Sequence, residues 1–358
     1  MSSVKFSHNN AVFFHILRKR VNEYFKVKQI KQTGNIFLYS KTIILAIGFL
    51  VSYIDLVFIH QPGFISIIVC CVMGLLMASI GFNVFHDGAH GSYSSSKTIN
   101  QIMACSLNVM GGSSYIWKQK HNINHHSYTN IEGMDDDIDI KPFFRTNTSQ
   151  KRYRIHKFQH IYSFILYGFT YLTWVFQNDF TKYFGGKISD HSAMKKMNLS
   201  EHIMFWFTKV SYIVTFLILP AYRVGITNMI IGYSIIAFVS GIVIAFVFQL
   251  AHLHEEAEFV LPDNNDHYQV ENEWAIHQLR TTINFDTQNK FVSWYCGGLN
   301  FQIEHHLFPK ISHVHYPEIS KIVKKTCQEY NIPYQEFPDT FSAIRSHLHF
   351  LKVTGRAA

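Results

Sequence analysis

Cysteine is scarce and unpaired: Cys70, Cys71, Cys105, Cys296 and Cys327 form no C-x-x-C motif, and three of them lie in or near apolar stretches. That excludes a disulfide framework and a thiolate-held zinc or iron–sulfur site. The chain also has no Gly-rich phosphate loop and no dinucleotide fingerprint, so it cannot by itself draw electrons from a nicotinamide cofactor. No Pro/Gly/Ser-rich linker divides its 358 residues, and no internal repeat or low-complexity tract is visible. Residues 1–358 are therefore read as one body rather than two domains. The N-terminus stays polar and basic through Lys31, without the short apolar core of a signal peptide, so the first apolar segment is expected to serve as the insertion signal.

What the chain does have is hydrophobic length. Segments 42–60, 64–85, 203–221 and 226–250 are each apolar over a stretch that can cross a hydrocarbon core of about 30 Å, which takes roughly 20 helical residues. The connections His60-Gln-Pro-Gly63 and Tyr222-Arg-Val-Gly225 are short, which makes two tight helical hairpins. Two further apolar stretches, 99–116 and 161–176, are short or interrupted, the first by Gly111-Gly-Ser-Ser114.

The net charge of +8 and pI near 9.1 raise the question of nucleic acid, but Lys and Arg cluster at both ends and in the central polar region, outside the apolar segments. The positive-inside rule explains that distribution, and no nucleic-acid partner is expected. The predicted fold is an all-α integral membrane protein: four transmembrane helices in two hairpins under a cytosolic helical cap. Residues 1–41 form a cytosolic N-terminal segment, 42–250 the membrane region with a cytosolic insertion at 86–202, and 251–358 a cytosolic C-terminal cap. Within it, 318–330 carries apolar residues at amphipathic-helix spacing.

Histidine carries the chemistry. Seven histidines and one glutamine fall in three clusters, His86-Asp-Gly-Ala-His90, His121-Asn-Ile-Asn-His125-His126 and Gln302-Ile-Glu-His305-His306. Imidazole is the commonest ligand for first-row transition metals, and residues three or four apart on a helix share a face. One metal site needs all three clusters on one side of the bilayer. A single extra crossing would strand one of them, so 99–116 and 161–176 are placed in the interface or packed on the bundle. His252, just beyond the fourth apolar segment and level with His86, is the eighth candidate histidine, whereas His254 should face away. Gln302 is either a weak oxygen ligand or a hydrogen-bond partner to a ligand's second nitrogen.

Seven or eight imidazoles exceed one tetrahedral zinc and suit two metals clasped from several helices. Two irons are the natural proposal, because neutral nitrogen ligands support redox and dioxygen chemistry, although spacing alone also accepts zinc or manganese. Among the other residues, the acidic run Asp135-Asp136-Asp137 with Asp139 could bind a metal or dock a cationic partner but reads most simply as a solvated loop. His313 and His315 read as structural or as partners of the ligands, and His8, His15, His347 and His349 suggest no role.

The pattern resembles the membrane fatty acid desaturases, specifically the front-end group, whose third histidine box begins with Gln. His86-Asp-Gly-Ala-His90, His125-His-Ser-Tyr-Thr-Asn130, Gln278-Leu-Arg-Thr-Thr-Ile-Asn284 and Gly297-Gly-Leu-Asn-Phe-Gln-Ile-Glu-His-His-Leu-Phe-Pro309 are similar to that group's signatures, and the likeness covers about residues 40–335. The resemblance implies a diiron centre held by the box histidines and one more His, matched by His252, and a bent acyl tunnel beneath the metals. It implies a fatty acyl substrate, as acyl-CoA or acyl-lipid, together with dioxygen. Many front-end members carry a fused b-type cytochrome that this sequence lacks, so a separate donor is expected, a ferredoxin or a b-type cytochrome with its reductase.

No side-chain acid or base removes hydrogen from an unactivated methylene, so an oxidised metal centre must do it, in a dry tunnel that fixes the reacting carbon pair. The expected reaction is the conversion of a methylene pair into a cis double bond with dioxygen and two electrons. A related diiron hydroxylase or ketolase is the alternative. A histidine-rich metal transporter is the remote one, because transporters place ionisable groups at mid-bilayer whereas these clusters lie outside the spans.

Overall fold

A computed structural model describes residues 4–7, 11–59, 61–261 and 268–357. His8 and His60, the latter in the first predicted tight turn, lie outside the described residues. Four helices are long and apolar enough to cross a bilayer: Ile36–Ile59, Gly63–His90, Leu199–Val224 and Ile226–His252. They form the two expected hairpins, the second turning on Gly225 alone, whose φ of +85° suits glycine. The first span exposes Ile43, Ile44, Ile47, Leu50 and Val51, an apolar belt suited to lipid.

Each span runs beyond its predicted limit at the end that carries the histidines. Hydropathy marks only what the hydrocarbon covers, while the helical hydrogen bonding continues wherever the cap shields polar side chains. Lys41, just before the expected start at residue 42, consequently lies inside the first span. Its Nζ donates to Asn83 Oδ1 of the second span and to the Trp294 carbonyl at 3.0 Å, and it lies 3.2 Å from His313 Nε2.

The two doubtful stretches do not span. The first breaks into helices Lys97–Ala104, Ser106–Val109 and Ser114–Trp117, and the second into Gln159–Gly168 and Thr170–Thr173. Both elements of the second stretch pack on the fourth span. Backbone meets backbone there: a Cβ on Gly241 would sit 2.5 Å from the Gly168 carbonyl oxygen.

Lys209 fastens this layer to the third span. Its ammonium, 3% exposed, donates to the carbonyls of Gly111 (2.7 Å) and Val175 (2.8 Å) and to Asp179 Oδ2 (2.7 Å), which also accepts from Ser113 N. One buried cation thus joins three segments. Lys209→Met leaves Asp179 buried without its countercharge, and the expected cost is about 3–5 kcal/mol, read as a lower thermal transition in lipid nanodiscs. Adding Asp179→Leu should recover much of that loss; no recovery would mean the lysine acts otherwise.

Above the spans sits the cap. The expected amphipathic helix is Tyr316–Glu329, burying Ile319, Val323 and Cys327; Tyr330 falls past its end and is exposed. Its partner is Ala11–Lys28, in a region read only as polar and basic, which buries Phe13, Leu17, Val21 and Phe25 on one stripe against it. Three two-stranded ribbons tie the cap among the described residues: Val4–Phe6 with Tyr268–Val270, Lys187–Ser189 with Ser192–Ala193, and Asn284–Phe285 with Glu336–Phe337. The protein is otherwise helical, as expected.

Candidate metal centre

The second span delivers the first cluster. After Gly63–Ile80 it widens into a π-type turn over Gly81–Phe85 and tightens again into His86–His90, so His86 and His90 emerge on one face. Gly88 is required between them, since a Cβ there would meet Ala104 N at 2.7 Å. The second cluster lies on another π-type segment, Lys118–His125, followed by His126. Winding with i→i+5 hydrogen bonds brings positions i, i+4 and i+5 toward one side, which is why His121, His125 and His126 converge. Gln302–Leu307 supplies the third cluster, and the fourth span ends on His252.

All eight predicted histidines meet. His86, His90, His121 and His305 offer ring nitrogens mutually within 4.8 Å, and His125, His252 and His306 form a second group within the same limit. His126 stands between the two groups, its ring centroid 4.6 Å from that of His305 and 4.5 Å from that of His306. Its Nε2 is 3.3 Å from His121 Nε2. His254 joins neither group.

The hydrogen bonds distinguish the two nitrogens of each ring. His125 Nδ1 faces Asp135 at 2.9 Å, His121 Nδ1 faces Asp137 at 2.8 Å, His306 Nδ1 faces Gln278 Oε1 at 2.7 Å and His305 Nδ1 faces Tyr316 Oη at 3.1 Å. His252 Nδ1 points at the Thr281 carbonyl at 3.4 Å. Conversely, Nε2 of His86, His90, His125, His252, His305 and His306 is buried with no partner. Each orphaned buried acceptor costs about 1–3 kcal/mol, and six aimed at two common points are what a pair of metal ions would satisfy. Gln302 lies in the same place, 2% exposed, with Oε1 buried and unpartnered.

Burial dominates the titration of these rings and keeps His126, His305 and His306 well below the ordinary imidazole range, as neutral donors. It lowers His121 as well, with Asp137 opposing. At His125 burial acts in the same sense, but Asp135 and then Asp137 outweigh it and the net direction is upward.

The acidic run is therefore not a solvated loop. Asp135 is 2% exposed and also accepts from the backbone of Asn130 and Asp137. A charge run looks solvated in sequence because nothing there reveals that the buried imidazoles need acceptors. Gln278 and Tyr316 were likewise given no role, although Gln278 opens one of the recognised signatures. His313 and His315 do serve the surroundings: His313 Nδ1 is 3.0 Å from Asp87 Oδ2, and His315 Nε2 is 3.1 Å from the Thr33 carbonyl.

A cavity of about 530 Å³ adjoins the histidines, lined among others by His86, His121, Gln302 and His305 and, deeper, by Met77, Met110 and Tyr171. Met77 precedes His86 by nine residues, about 13 Å along the helix. Tyr171 is fixed through its hydroxyl, which donates to the Met110 carbonyl (2.6 Å) and lies 2.7 Å from Tyr212 Oη, with Tyr233 Oη 2.8 Å beyond. A narrow apolar pocket thus leads away from a cluster of metal-binding nitrogens. The family model for fatty acid desaturases matches residues 62–338.

The chain belongs to the fatty acid desaturase family.

Among curated relatives, this desaturase is 34% identical to the sn-1 linoleoyl-lipid 6-desaturase of Synechocystis over 357 residues, covering 99% of this chain and 98% of that one. It is 35% identical to the enzyme of the same name from Arthrospira platensis, covering 94% and 90%. The acyl-lipid (8-3)-desaturase of Physcomitrium patens is 36% identical, over 97% of this chain and 72% of the relative.

Proposed function

We propose that this desaturase is a front-end fatty acyl desaturase of lipid metabolism, an oxidoreductase that places a cis double bond in a lipid-borne acyl chain at a diiron site. The observation that carries it is the double group of buried histidines with unpartnered nitrogens beside an apolar cavity. His86, His90, His121 and His305 would hold one metal and His125, His252 and His306 the other, with His126 between them and Gln302 as an oxygen donor at the cavity wall. Held in this way, two irons with dioxygen and two electrons would supply the oxidising power that removal of two hydrogens from neighbouring methylenes requires. The electrons come from a separate carrier, a ferredoxin or a b-type cytochrome.

The remaining work belongs to the side chains. The cavity keeps water from the reacting carbons, and its end at Met77, Met110 and Tyr171 fixes how far the methyl end can travel. Its polar part adjoins the histidines directly, since Asp137, which lines it, is bonded to His121. A chain whose ester stays at the polar part has few carbons before the metals and many beyond, which supports desaturation near the carboxyl end.

We place the metal site and both termini on the cytoplasmic side, where Lys and Arg concentrate, leaving Arg223 at the opposite end of the third span. The test is a fatty acid profile from a host expressing the chain with a donor and fed defined acids. A new cis double bond, absent from cells with the His305→Ala variant, is expected; hydroxylated products would replace this reading with a hydroxylase.

A further inference from the structure

The cavity opens sideways. Of its lining residues, Lys141, Phe143, Phe169, Thr173, Gln177 and Asn178 are exposed, and they mark a gap between chain segments 139–144 and 166–178. Phe143 is 58% and Phe169 46% exposed, and the neighbouring surface presents Ile161, Ile165 and Phe176. That apolar surround, on segments packed against the outside of the fourth span, suits contact with bilayer rather than water. In a bilayer such a gap would join the cavity to the lipid.

The polar side of the gap is rich in charge but, among the described residues, offers no surplus cation. Lys141 Nζ lies 2.8 Å from Asp139, 3.1 Å from Glu132 and 3.4 Å from Asp190; Lys182 lies 2.8 Å from Asp136; Lys120 lies 2.8 Å from Asp137 and 3.4 Å from Asp136. Asp137 also faces His121 and offsets charge that the metals would bring. Among the residues that line the cavity, Asp136, Asp137 and Asp139 stand three against three with Lys120, Lys141 and Lys182, and Glu132 and Asp190 lie within 3.4 Å of Lys141 just outside the lining. A polyanionic carrier such as coenzyme A, or an anionic phospholipid, would meet a rim with no net positive charge.

We propose that the acyl chain enters sideways through this gap while still esterified to a glycerolipid, and that the rim accepts headgroups without net negative charge. The inference rests on the desaturase reading and adds the route and the headgroup class. Gln177, Asn178 and the paired charges supply hydrogen-bonding groups for such a headgroup, and Phe143 and Phe169 flank the proximal acyl carbons.

The experiment uses the full chain, loaded with iron, in nanodiscs of saturated ether lipid. A fluorescent acyl lipid is displaced by linoleoyl groups carried on a glycosyl diacylglycerol, phosphatidylcholine, phosphatidylglycerol or coenzyme A. The first two should compete at least tenfold better than the last two, and Asp139→Lys should narrow that ratio at least threefold. Thr173→Trp and Phe143→Trp, which fill the gap from opposite sides, should each weaken lipid binding at least tenfold while metal content and thermal transition stay those of the wild type. Preference for the thioester or the anionic lipid, or undiminished lipid binding in both filled variants, would overturn the proposal. Lipid binding as expected with no double bond on any carrier would instead refute the desaturase reading.

Discussion

On the diiron proposal, His125→Ala is expected to insert normally, to lack iron at one of the two positions and to form no detectable double bond. His125 is completely buried, and its Nε2 is one of only three nitrogens that meet in the second group. Losing a third of a donor set whose other members cannot move, because Gln278 holds His306 and the Thr281 carbonyl faces His252, removes the geometry as well as the affinity. The change also leaves Asp135 buried without its imidazole partner. His254→Ala is the informative contrast. That ring is 0% exposed and both its nitrogens are unpartnered, yet it belongs to neither group, so its variant should keep both irons. Elemental analysis of the purified proteins, with the fatty acid profile, decides the matter: two irons and ordinary turnover in His125→Ala would end the diiron assignment.

Asp135→Ala should come close to that effect without touching a metal ligand. The carboxylate lies 2.9 and 3.0 Å from His125 Nδ1 and accepts from the backbone of Asn130 and Asp137, so it fixes the ring's orientation and the loop that carries it. Removing such a partner typically lowers metal affinity or activity by about 10–100-fold. Asp135→Asn keeps an acceptor oxygen and should recover part of the loss. Iron retention against a graded chelator provides the readout, because a merely structural aspartate would change the thermal transition while leaving metal affinity per folded molecule intact. Equal retention in Asp135→Ala and the wild type would show that His125 needs no outer acceptor.

The histidines were legible because metal ligation imposes both a residue type and a spacing, and because three clusters on one chain must share one side of a membrane. The spans were legible because hydrocarbon imposes a length. What escaped was whatever depends on a partner distant in sequence. Asp135 and Asp137 look solvated until His125 and His121 are seen to point at them. Lys41 looks interfacial until Asn83, Trp294 and His313 close around it. The helix Ala11–Lys28 did leave a signal, since Phe13, Leu17, Val21 and Phe25 recur every fourth residue, but six basic residues in and just after it masked the stripe as a polar leader. Gln278 carried a recognisable motif but no visible reason, and the reason is the Nδ1 of His306.

The pairing of Ala11–Lys28 with Tyr316–Glu329 also sets an order of events in the making of the protein. The ribosome delivers the first helix roughly three hundred residues before its partner, and at about 5–20 residues per second the interval is about 15–60 s. For most of that time Phe13, Leu17, Val21 and Phe25 lack the residues from Ala275 onward that they pack with, while the second span and the π-type segment, with His86, His90, His121, His125 and His126, have already been made. Five of the eight imidazoles thus wait for the last quarter of the chain, and closure of the cap and completion of the donor set are one late step rather than two.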